Sequence, residues 1–162
     1  LALERIVDTW PDATVVTATG ESGGGFGAAS NYDTIASYFP GIDVTLVDDS
    51  GPIFRDMYLA PCLQQTFRDV WGVDASLPED CTECFGADGG GLSNYLPFIQ
   101  EKYPNASKSL ISSEADGTIS TFYGFGSNND PFRRRRCESD CLLNSLFEDR
   151  CVCKEERSIP TE

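Results

Sequence analysis

A serine framed by small residues, Gly20-Glu21-Ser22-Gly23-Gly24, stands between a β-branched run, "ATVVTAT", and a small-residue stretch able to open a helix. A G-x-S-x-G turn in that setting suits nucleophilic attack on a carbonyl, because the tight turn lifts the serine hydroxyl above the strand end and the glycines leave room for a substrate. The N–H of Gly23, the residue after the serine, can donate to the oxyanion that such an attack creates. Two other readings of the same residues compete. Gly23, Gly25 and Ala28 fit the G-x-G-x-x-A dinucleotide pattern, with Asp48 and Asp49 ending the next apolar run where a ribose carboxylate would sit. In that pattern the first glycine closes the strand, a place taken here by Gly20, whereas Gly23 comes four residues after Thr19. A phosphate loop of the Lys-Ser or Lys-Thr kind is excluded because neither dipeptide follows the glycines. The plainest reading is a glycine-rich connection in which Ser22 only caps the following helix.

The elements that would position Ser22 can be read from periodicity. "LALERIVDTW" carries Leu3, Ile6, Val7 and Trp10 at the spacing of one helical face, ended by Pro11 and Asp12. "ATVVTAT" and "IDVTLVDD" read as short strands buried on both faces, with "GFGAASNYDTIASYF" as one helix between them up to Pro40-Gly41. Strand, helix and strand in this order form a βαβ unit, so the expected fold class is α/β with a parallel sheet. Residues 50–91 are irregular around one helix, "LQQTFRDVWG", the kind of long insertion where α/β enzymes place binding surface. "LSNYLPFIQEKY" reads as an amphipathic helix with Pro97 in its first turn, followed by a third strand at 109–113, an acidic turn and a last helix.

Composition narrows the partners. The chain has 162 residues, enough for one domain with a core, and no run approaches the roughly 18 apolar residues of a membrane span. Its formal net charge of −14 argues against nucleic acid as partner, since a polyanion would be repelled. The charge is uneven: residues 1–130 hold 5 basic and 19 acidic side chains, whereas residues 131–162 hold 7 of each and 4 of the 7 cysteines. So many cysteines lean toward disulfides and a secreted or periplasmic location. Zinc is disfavoured because the sequence contains no histidine and the spacing of Cys151 and Cys153 is too tight for a usual zinc knuckle. No cofactor or metal is expected.

Three segments taken in order, "TGESGGGFGAASNYDTIASYFPGIDVTLVDDSGP", "YLAPCLQQTFRDVWGVDASLPEDCTEC" and "SLISSEADGTISTFYGFG", resemble bacterial members of the pectin acetylesterase family, related to the Notum carboxylesterases. The resemblance covers about residues 1 to 128. It implies a secreted serine hydrolase with an α/β-hydrolase-type sheet, Ser22 as nucleophile and Asp116 as triad acid, acting on a small-molecule or polysaccharide ester. Two departures matter: there is no histidine to take the serine's proton, and the family's upstream strands and glycine loop are not seen before Ser22. The expectation is therefore a fragment of a larger hydrolase, residues 1–130 forming part of its domain and residues 131–162 a cysteine- and arginine-rich tail foreign to the fold. In such a fragment Cys62 pairs with Cys81 or Cys84 and the tail thiols stay free or scramble.

The remaining candidates read more plainly. Asp48-Asp49 caps the turn after its strand, Asp116 on residue type alone suits a helix N-cap, and Trp71, Phe122, Tyr123 and Phe125 read as core. One unrepeated "GADGGG" is weak support for a calcium turn.

Overall fold

The computed structural model describes residues 2–56 and 58–123, together with the backbone of the paired segments 135–136 and 154–155. The tail thiols and Phe125 lie outside the described residues. Among the described residues nine α-helices and strands precede residue 124: α1 (Ala2–Thr9), β1 (Thr17–Glu21), α2 (Gly23–Ser30), α3 (Tyr32–Ser37), β2 (Thr45–Asp49), α4 (Pro61–Trp71), α5 (Tyr95–Lys102), β3 (Lys108–Ile111) and α6 (Gly117–Phe122). The three strands form a parallel sheet in the order β1-β2-β3, with Gly20 opposite Asp48 and Asp49 opposite both Glu21 and Ile111. The chain is thus α/β, a parallel sheet with flanking helices.

The sheet is buried on one face, not on both as the apolar runs suggest. In β2, Leu46 and Asp48 are buried while Thr45, Val47 and Asp49 are partly open, and in β1 only Ala18 is buried. Val15, inside the expected first strand, is 79% exposed. The physical reason is layer count: α2 packs on β1 and β2 from one side, and α1 buries none of its residues. Of its periodic stripe, Val7 is partly buried against the core, while Ile6 and Trp10 stay 41% and 62% exposed.

The long helix expected after the glycines is two. Asn31 leaves helical geometry (φ −95°, ψ 5°), and its side-chain amide donates to the Gly27 carbonyl at 2.9 Å, competing with the backbone for that acceptor. α4 begins at Pro61, where the missing N–H costs nothing, and ends at Gly72 in the left-handed region (φ 65°), whose N–H reaches Arg68 O at 2.9 Å.

The core runs from Ala18 and Leu46 through Ala29 and Tyr32 to Leu59, Tyr95 and Ile99. The irregular segment after β2 is tied to it by polar side chains. Gln64, fully buried, donates to Leu59 O and accepts from Leu92 N, while the Arg68 guanidinium donates to Gly89 O, Gly90 O and Cys84 O and pairs with Asp74. These bonds occupy carbonyls of the "GADGGG" turn. Cys81 and Cys84 are disulfide-bonded to each other across a 3₁₀ turn that sets their Cα atoms 5.4 Å apart, within the range a bridge prefers. Cys62 is disulfide-bonded too, and to neither of them, so the expected pairing of Cys62 with Cys81 or Cys84 is wrong. The local turn satisfies the nearer pair first.

Candidate active site

Ser22 sits at the point where β1 ends and α2 begins, with φ 53° and ψ −119°. A side chain at positive φ costs on the order of 1–3 kcal/mol, and it persists only where the surroundings over-determine it. Here they do. The Ser22 N–H donates to Asp49 O at 2.7 Å, extending the β1–β2 ladder by one residue, and the Ser22 carbonyl accepts from Phe26 N at 3.1 Å, starting the helix. Strand and helix then meet so closely that a Cβ on Gly20 would lie 2.9 Å from Gly24 Cα and closer still to the Gly24 carbonyl. On the other side, a Cβ on Gly25 would lie 2.7 Å from Asp49 O, and one on Gly51 would lie 2.6 Å from Gly25 C. The first glycine of the G-x-S-x-G pattern is therefore sterically required.

The Ser22 side chain is exposed and makes no capping hydrogen bond to α2. That removes the reading in which it merely caps the helix. Gly23, the first residue of α2, and Gly24 donate to no backbone acceptor among the described residues, as the opening N–H groups of a helix do. Two exposed donors thus stand directly beside the serine. Of the residues that fit the dinucleotide pattern, Gly23 and Gly25 lie inside the helix, Asp48 accepts from Gly51 N at 2.9 Å, and Asp49 accepts from the Ser50 hydroxyl at 3.0 Å. Both acids brace the turn after β2, as the plain reading of that pair has it. Asp48 is buried, which pushes its carboxyl above the ordinary carboxylate range; the Gly51 N–H opposes this and the Asp49 charge adds to it.

Asp116 follows β3 by five residues and caps α6, its Oδ1 accepting from Thr118 N at 2.9 Å and Ile119 N at 2.8 Å. Ser22 and Asp116 both lie past the carboxyl ends of parallel strands, with β2 between those strands. Two strand spacings amount to about 9.6 Å. The fold thus places Ser22 and Asp116 at the carboxyl end of one parallel sheet, two strands apart.

A groove of about 480 Å³ is lined by Gly23, the residue after Ser22, with Phe26 and Ser30 of α2, Asn31 at the end of that helix, and Trp71 and Val73. Two of its neighbouring aromatics depart from expectation. Trp71 and Phe122, read as core, are 47% and 44% exposed, while Tyr123 is buried as expected. Each exposed ring belongs to the last residue of a helix, α4 or α6, where the chain leaves the core. Both stack on Phe67, with centroids 4.4 and 5.4 Å away.

Comparison with protein-family models, curated proteins and solved structures yields no match to this chain. No helix among the described residues is long and apolar enough to cross a membrane.

Proposed function

We propose that the chain carries the nucleophile and acid of a serine carboxylesterase of α/β-hydrolase type, with Ser22 as nucleophile, Gly23 N–H as an oxyanion donor and Asp116 as triad acid. The single observation that carries this reading is the Ser22 backbone, held at φ 53° in a strand-to-helix turn with its hydroxyl exposed and unengaged. In the reaction Ser22 Oγ adds to the ester carbonyl, the oxyanion is met by the helix N–H groups, and the alcohol leaves with a proton to give an acyl-serine. Water then releases the acid and restores the hydroxyl. Acetyl groups on a polysaccharide are the ester class that the family resemblance implies. A secreted or periplasmic location accords with the Cys81–Cys84 bridge.

The chain has no histidine, so no imidazole of its own takes the Ser22 proton. Added imidazole supplies one. With p-nitrophenyl acetate, nitrophenolate release should rise with imidazole concentration above the release by imidazole alone, and Ser22→Ala should abolish the excess. Equal rates in the two proteins would overturn the reading. A second reading, a secreted binding module that keeps only the hydrolase scaffold, is favoured by that same lack of histidine. It predicts no serine-dependent turnover at any imidazole concentration.

A further inference from the structure

Two short strands beyond the α/β unit, β4 (Arg135–Arg136) and β5 (Lys154–Glu155), pair antiparallel, with Arg135 opposite Glu155 and Arg136 opposite Lys154. The next step of that register sets Cys137 against Cys153. Directly opposed residues of an antiparallel pair have Cα atoms about 4.5–5.5 Å apart, inside the range of about 4.4–6.8 Å that a disulfide spans. The register therefore suits a bridge between these two.

Cys62 adds an independent constraint. It is disulfide-bonded, and Cys81 and Cys84 hold each other, so a partner within the chain lies among Cys137, Cys141, Cys151 and Cys153. With Cys137 and Cys153 opposed, Cys141 and Cys151 are left over. Between those two runs Leu142-Leu143-Asn144-Ser145-Leu146-Phe147, the most apolar stretch after residue 130. Either bridge to Cys62 brings this stretch to α4. Reach sets no limit: the Tyr123 ring lies 6.4 Å from that of Phe67, five residues or about 7.5 Å along α4 from Cys62, whereas residues 124–140 extend to about 55 Å.

The surface around Cys62 has room for such a segment. Gln64, Phe67 and Arg68 form the buried side of α4. Thr66, Asp69 and Val70 lie four, seven and eight residues beyond Cys62, on its own face of the helix, and all three are exposed. Val70 is 71% exposed and stands about 12 Å along the axis from Cys62, a distance that four extended residues cover.

We propose that residues 137–153 strap the outer face of α4: a Cys137–Cys153 bridge staples β4 to β5, Cys62 is bonded to Cys141 or Cys151, and the Leu142 to Phe147 stretch covers Val70. The tail is then a built part of the fold, contrary to the expectation of an appendage foreign to it. Each bridge forms by exchange with a protein or small-molecule disulfide, which is reduced as the two thiols give up two protons and two electrons. Seven cysteines in three bridges leave one thiol. Ser22 has no part in the argument.

The test uses the monomeric full chain without substitutions. It is alkylated in denaturant without reductant and digested with trypsin and a protease that cleaves before aspartate, which separates Cys62, Cys137, Cys141 and the Cys151-Val152-Cys153-Lys154 peptide. Fragmentation of the linked peptides in the mass spectrometer tells Cys151 from Cys153. Cys137 should be recovered on Cys153, Cys62 on Cys141 or Cys151, and one alkylated cysteine per chain. On the native chain, NMR should show Val70 methyl protons in contact with Leu142, Leu143, Leu146 or Phe147. Cys62 recovered alkylated or linked to Cys137 or Cys153, more than one alkylated cysteine per chain, or no contact between Val70 and that stretch would overturn the proposal.

Discussion

Replacing Gly20 by alanine probes the turn that holds Ser22 without touching the serine. The added Cβ would lie 2.9 Å from Gly24 Cα, and nearer to the Gly24 carbonyl carbon and oxygen. Carbon atoms are at ease about 3.5–4.0 Å apart, so the overlap with Cα alone is roughly 0.6–1.1 Å. The atoms struck are backbone, locked on one side by the β1–β2 ladder and on the other by the first turn of α2. Relief requires α2 to lift away from β1, which also disturbs the burial of Phe26 and Ala29. Overpacking of this kind costs about 3 kcal/mol, at the upper end of the usual range. For a chain of this size that is a fall of roughly 6–12 °C in Tm. Gly27→Ala is the control, because its Cβ would meet nothing within 4 Å. There the helix gains about 0.5–1 kcal/mol from the change. Urea denaturation followed by circular dichroism should therefore move in opposite directions for the two variants. A Gly20→Ala protein as stable as the original would refute the close strand-to-helix approach on which the site is built.

Other expectations follow from the same structure. Asp116→Ala should cost about 1 kcal/mol through loss of the α6 cap, whereas Asp116→Asn should stay within a few tenths; thermal melts compare them. The raised carboxyl of Asp48 lends stability that is fully present below the ordinary carboxylate pKa and is lost as pH rises through its higher folded value. Asp48→Asn keeps an acceptor for Gly51 N and does not titrate, so its stability relative to the original chain should grow as pH rises from below the ordinary carboxylate pKa through the raised folded one; a constant difference would contradict the buried-carboxylate account. Non-reducing peptide mapping should recover Cys81 and Cys84 bridged within one tryptic peptide, and a link from that peptide to Cys62 would contradict the fold of this segment.

Where local chemistry decides, the sequence was readable. The order of strand, glycine turn and helix around Ser22 is written in neighbouring residues, Gly20 to Gly25, and Pro61, Gly72, Pro97 and Asp116 mark helix ends by their own backbone or side-chain preferences. Where tertiary packing decides, it was not. The run Ala13 to Thr19 looks the same whether one or both faces of its strand are covered, and only the arrangement of α1 and α2 distinguishes them. Asn31 sits in a run with no proline or glycine to end a helix beside it, and its break shows in its bond to Gly27. Trp71 and Phe122 are apolar and helical, and their exposure follows from where α4 and α6 leave the core. Cys81 and Cys84 share an irregular segment with Cys62, and only the 3₁₀ turn that brings their Cα atoms to 5.4 Å distinguishes the pair that bridges.

Ser22 itself can be tested by reaction with a fluorophosphonate, located by peptide mass spectrometry on the folded chain, on the chain in urea, and on Ser22→Ala. With the serine poised and no histidine to activate it, labelling should be slow, several powers of ten below that of a complete triad, yet confined to Ser22 and dependent on the fold. Labelling spread over other serines, or undiminished in urea, would contradict the claim that this turn presents a nucleophile.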